Sequence, residues 1–263
     1  MGAYMRRRAL SWTCAALGLL LGTSDAPAGG PLSFVHRLAP PPPESMAVCN
    51  AVAKDRREHV HIFLINGMDP LYLGNLVGVR DYLQQLGFSK TYYGELFHWW
   101  WFKNQLRSVS RNDPQARIVV IGFSLGGSMA DSLARSLERE GLWIDMLVYV
   151  DAKSFTHNFH HLPRNVGRVV NVTSLSELWD GSSLDGAQNV HEGNVWHFGS
   201  PTHPKTLEAL AVNMAAIATS ARPAVLTETT AAAGAAAVDG GPVLQRMTTP
   251  PDGQLPAKRD HVR

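Results

Sequence analysis

A serine set between glycines, Gly122-Phe123-Ser124-Leu125-Gly126, is the pattern in this 263-residue chain that most directly suggests chemistry. It follows the apolar run Ile118-Val119-Val120-Ile121 and opens a stretch with Ala130, Leu133 and Leu137 at helical spacing. That context predicts a strand, a sharp turn and a helix. Flanking glycines let the backbone pass through such a turn without a Cβ clash. The turn would lift the serine oxygen out of the sheet, and the helix N-terminus would face negative charge developing on a substrate oxygen. A serine hydroxyl is a poor nucleophile at its own pKa, so the chemistry also needs a base. Between Ser124 and the C-terminal tail the candidates are His157, His160, His161, His191, His197 and His203. The first three lie in a loop-like stretch and read as polar surface, with no ligand spacing that argues for a metal.

The segment Val119-Ile-Gly-Phe-Ser-Leu-Gly-Gly-Ser-Met-Ala130 resembles the strand–elbow–helix unit of the α/β-hydrolases, the superfamily of lipases, esterases and thioesterases. Asp145-Met-Leu-Val-Tyr-Val-Asp151, Val170-Asn-Val172 and Val195-Trp-His-Phe198 are also similar to a poorly described bacterial group of that superfamily. The resemblance implies a serine hydrolase acting on a carboxylic ester or thioester through an acyl-enzyme on Ser124. It implies the chain order serine, acid, histidine, which makes His197 the expected base and His203 the alternative. Asp151, directly after an apolar strand, is the expected acid. Most members of the superfamily place the acid one strand later, which points to Glu177 or Asp180, with Asp185 a distant third. Leu125 and Met68 are the expected oxyanion donors through their backbone N–H groups. Asn66-Gly67-Met68 departs from the His-Gly sequence common at that loop. No cofactor is implied. The partner would be a small-molecule or lipid ester. A non-catalytic ligand-binding protein of the same fold is the rival expectation, since fold alone does not establish function.

These residues need a frame. Short apolar runs predict strands at His59–Ile65, Thr91–Phe97, Ala116–Ile121, Asp145–Val150, Arg168–Val172 and near Asn189–Trp196. Helical patterns fill Asn75–Gly87, Trp101–Ser110, Ser124–Gly141 and Lys205–Thr219. Strands alternating with helices predict an α/β fold, a mostly parallel central sheet with helices on both faces. With the resemblance, this becomes an α/β-hydrolase fold in a single domain. Ligands of such sheets bind beyond the carboxyl ends of the strands, where Ser124, Asp151 and His197 fall.

The two ends read differently from the middle. Arg6-Arg7-Arg8, the apolar run Ala9–Leu21 and Ala26-Pro27-Ala28 describe a secretory signal over residues 1–28, with an uncleaved membrane anchor as the alternative. Residues 29–43 end in four prolines and read as an extended arm. The expected domain spans 44–220, and the Ala/Thr/Pro-rich tail 221–263 has little to bury. Taking three arginines and one aspartate away with the leader from 24 basic and 22 acidic side chains leaves 21 of each. No concentrated basic patch remains, which argues against nucleic acid as a partner. An exported protein would also rarely meet acyl-CoA. Tyr92, Tyr93, Phe97, Trp99, Trp100, Trp101 and Phe102 make one aromatic-dense stretch. Consecutive residues on an element cannot all face the core, so some are available for an acyl chain or a membrane surface.

Overall fold

A computed structural model describes residues 38–152, 161–175 and 182–221. The expected leader, most of the arm, nearly all of the tail, His157, His160, Glu177 and Asp180 lie outside these residues.

The first described elements are two short helices that no periodicity announced, α1 (Pro43–Asn50) and α2 (Lys54–Glu58). Pro43, expected to close the arm, instead opens α1. A proline is well placed there, because its missing N–H would have no helical acceptor anyway. There follow β1 (Val60–Asn66), α3 (Leu76–Gln85), β2 (Thr91–Glu95), α4 (Trp99–Asn112), β3 (Arg117–Phe123) and α5 (Leu125–Glu138). The described chain is completed by β4 (Met146–Val150), β5 (Val169–Ser174), β6 (Gln188–Gly193) and α6 (Pro204–Thr219). A 3-10 turn, Leu96–His98, replaces the predicted end of the second strand, and another, His197–Thr202, precedes α6. Helix α4 starts two residues before the predicted Trp101, so all three tryptophans lie in its first turn.

The six strands form one sheet in the order β2-β1-β3-β4-β5-β6, every pair parallel. The fold is therefore α/β. Strand period two sends Val60, Ile62 and Leu64 to one face and Phe63 and Ile65 to the other. The first set packs with α1, α3 and α6 through Cys49, Leu83 and Met214. The second packs with α4 and α5 through Phe102, Leu106 and Leu133. Both faces are covered, which explains why β1 is buried at all seven positions and carries no polar alternation.

The chain runs from β1 outward to β2 and then returns to β3 on β1's other side. The strand order thus reverses between β1 and β3, and ligands of open α/β sheets bind at the carboxyl end of such a reversal. Ile65 of β1 is in register with Gly122 of β3, so Gly67 and Ser124 emerge side by side there.

At the opposite end of the sheet, Asp113 gathers His59 (Nδ1 to both carboxylate oxygens, 2.9 Å), His61 (3.3 Å) and Lys90 (3.8 Å). Burial pushes the His61 imidazole below its ordinary 6.5, outweighing the bond to Asp113. The unfolded chain therefore binds that proton more readily than the folded one. The associated stability is complete above about pH 6.5 and erodes as the pH falls below it. His61→Gln should accordingly melt with a smaller difference between pH 7.5 and pH 5.5 than the wild-type protein. His203, also lowered by burial, would retain part of the dependence. Thermal melts of both proteins at the two pH values measure this; equal differences would remove His61 as a contributor.

Candidate active site

Ser124 joins β3 to α5 at φ 55° and ψ −126°, a backbone conformation that non-glycine residues rarely adopt. Strain of this kind persists only where the surroundings over-determine it. Here they do. A Cβ built on Gly126 would lie 2.2 Å from the Ile65 carbonyl oxygen, so the start of α5 presses directly on β1. A Cβ on Gly67 would lie 2.9 Å from both Ser124 Cβ and the Leu125 nitrogen. The Gly67-Met68 segment is thus held against the turn, beside the first N–H groups of α5, which have no acceptor within their own helix. Met68 itself points outward and is exposed.

Asp151, one residue past β4, also has a positive φ, 41°. Its side chain is fully buried. Such a carboxylate needs partners, and Ser174 at the end of β5 supplies two: its N–H donates to Oδ1 at 2.7 Å and its hydroxyl to Oδ2 at 2.5 Å. The third partner is His197, whose Nδ1 lies 3.1 Å from Oδ2. A carboxylate oxygen accepts, so the imidazole Nδ1–H is the donor that fits this pair. The ring stacks on Phe123 with centroids 4.8 Å apart and packs edge-on against Phe198 at 5.0 Å. Phe123 immediately precedes Ser124. The imidazole, the acid and the serine turn are therefore packed as neighbours at the carboxyl end of the sheet.

The other predicted residues fall as follows. His203 is not bonded to Asp151; its Nδ1 lies 3.5 Å from Glu192. Asp185 is exposed, beside Arg135 and His161. Asn66 is buried and turns toward β2, where its Nδ2 donates to the Tyr93 hydroxyl at 3.3 Å and to Glu95 at 3.4 Å. Burial and the Glu95 carboxylate together push the Tyr93 hydroxyl far above its ordinary pKa. Asn66 therefore braces the sheet edge.

Three contributors went unnoticed in the sequence. Ser174 fixes the acid, Phe123 stacks on the imidazole, and Asp69 shapes the loop after β1 by accepting from the Leu73 and Gly74 N–H groups at 2.8 and 2.7 Å. A polar residue ending an apolar strand was the available signal for Ser174, and an aspartate followed by a glycine-containing turn for Asp69.

Exposed apolar side chains crowd the same edge. Met68, Leu71, Tyr72 and Leu73 follow β1, Phe97 and Trp100 follow β2, Leu175 follows β5 and Trp196 follows β6. Phe97, Trp100 and Trp196 are 73%, 70% and 63% exposed, unlike Phe102, which is wholly buried. A separate apolar cleft of about 520 Å³ lies between α1, α3 and α6, lined by Tyr82 and Leu207, and includes none of Ser124, Asp151 and His197.

No protein-family model and no curated protein matches this sequence.

Proposed function

We propose that the protein is a serine hydrolase of the α/β-hydrolase type that cleaves a carboxylic ester or thioester with an apolar acyl group. The observation that carries this reading is the bond from His197 to buried Asp151, with the imidazole stacked on the residue before a strained serine. In the proposed reaction His197 Nε2 takes the proton from Ser124 Oγ as that oxygen attacks the carbonyl. Asp151 holds the tautomer and stabilises the imidazolium. The oxyanion is held by the Leu125 N–H and by the Met68 N–H across the turn. His197 then protonates the leaving alcohol or thiol. Water, activated by the same imidazole, hydrolyses the acyl-enzyme and restores Ser124.

The exposed aromatic and aliphatic side chains that follow the strands at the serine's end of the sheet suit a substrate with an apolar part, and they suit contact with a membrane or lipid surface.

A fluorophosphonate probe tests the reading directly, because it reacts with an activated serine whatever the natural substrate. Labelling of the wild-type protein that disappears in Ser124→Ala is the expected result. A folded wild-type protein that stays unlabelled would favour the rival, a binding protein of the same architecture.

A further inference from the structure

Strand β6 carries a second buried acid that the proposed reaction does not use. The Glu192 side chain is fully buried, and its neighbours belong to one short stretch of chain. Its Oε1 accepts from the Thr206 hydroxyl and lies 3.5 Å from His203 Nδ1. The Ser200 hydroxyl is a third neighbour, close to the carboxyl but not hydrogen-bonded to it. Ser200 and Thr206 are themselves wholly buried. All three lie between His197 and the first turn of α6, in the segment that presents the candidate base. Lys205 adds a tie between the same two elements, its Nζ donating to the His191 carbonyl at 3.0 Å.

The acid is also close to the other half of the site. The next residue along the strand, Gly193, is in register with Ser174, whose backbone and hydroxyl hold Asp151. Burial, and to a smaller degree the charge of Asp151, push the Glu192 carboxyl above its ordinary range, while Ser200, Thr206 and Lys205 oppose that rise. A carboxyl in such surroundings is costly to bury.

Resting on the hydrolase reading above, we propose that Glu192 is the positioning residue for His197. Through its bond to Thr206 and its contact with His203 it fixes the turn from which the imidazole meets Asp151 beside the serine turn. Glu192 touches no reacting atom. Its effect arises because a displacement of about 1 Å in a catalytic group can cost about a hundredfold in rate. The turn from His197 to Thr202 is a short 3-10 segment, a geometry weaker than an α-helix and dependent on outside anchors.

The test uses the full-length protein and the rate of fluorophosphonate labelling at Ser124, which requires no known substrate. Glu192→Ala is expected to slow labelling by about 10- to 100-fold, with the far-ultraviolet circular dichroism of the wild type. Glu192→Gln keeps an acceptor oxygen for Thr206 and should restore the rate to within about threefold of wild type. A folded Glu192→Ala protein labelled within twofold of wild type overturns the proposal, as does a folded Glu192→Gln protein as slow as Glu192→Ala. Should Glu192→Ala not fold, Thr206→Val removes the donor at nearly constant volume. It should slow labelling several-fold, and a wild-type rate would overturn the proposal equally. An unlabelled wild-type protein is a different outcome: it removes the hydrolase reading, and this inference with it.

Discussion

Ser124→Ala and His197→Ala should each lower ester hydrolysis by about 10⁴-fold or more, and the double variant should lose no more than either alone. The expectation of shared loss follows from the geometry. The imidazole's Nδ1 meets Asp151, and in the proposed reaction its Nε2 takes the serine proton. Without the serine the base has no proton to take, and without the base the hydroxyl stays protonated. Asp151→Asn should cost about 10⁴-fold, because an amide at that position can present an N–H to the imidazole and favour the wrong tautomer. His203→Asn tests the alternative base and should cost less than about tenfold, since His203 meets Glu192 instead of Asp151. Turnover of a p-nitrophenyl ester series measures all five proteins. Losses that multiply in the double variant, or a His203 variant as damaged as His197→Ala, would break the assignment.

The second large effect is on stability. Gly126→Ala should destabilise the fold by roughly 3 kcal/mol, lowering the midpoint of thermal unfolding by about 6–12 °C in a domain of this size. At an ordinary helical position the same change stabilises by up to ~1 kcal/mol. Here the new methyl would sit 2.2 Å from the Ile65 carbonyl oxygen and 3.0 Å from the Asn66 carbonyl carbon. Both belong to the backbone of a central strand paired on each side, so neither can move without carrying β2 and β3. A midpoint within 2 °C of wild type would mean that α5 can lift off β1 freely. Such freedom would also loosen the strained turn at Ser124.

The sheet was legible because β1, β3 and β4 each carry an apolar run, Ile62–Ile65, Ile118–Ile121 and Met146–Val150, and burial on both faces demands that composition. Their ends were legible for the same reason: polar Asn66, Ser124 and Asp151 appear where the apolar requirement stops. Helices α1 and α2 were not legible. They are short, α2 buries none of its residues, and neither carries enough periodic apolar positions to stand out. The proline run before α1 pointed toward an extended chain. The partners of Asp151 and Glu192 were hidden for another reason. Ser174 lies 23 residues from Asp151 and Thr206 lies 14 from Glu192. The first pairing is set by how β5 lies beside β4 and the second by how α6 packs on β6, and neither is a contact between sequence neighbours. Of the three tryptophans in α4, helical rotation predicted only that they would diverge. Which ones faced outward depended on where the helix began, and boundaries are the least certain feature of a sequence.

The strand order also divides the site's labour along the chain. The serine turn and the Gly67-Met68 segment belong to β1 and β3, in the first half. Asp151, Ser174 and His197 follow β4, β5 and β6, on the far side of the sheet's centre. The proposed nucleophile and its proposed base thus lie on opposite sides of the sheet's centre. If the turn from His197 to Thr202 loosens before the sheet does, the serine would keep its strained turn yet lose the proposed base. Under rising denaturant, reactivity should therefore vanish before helicity does. The protein would first become a shaped but silent scaffold, and only afterwards an unfolded chain.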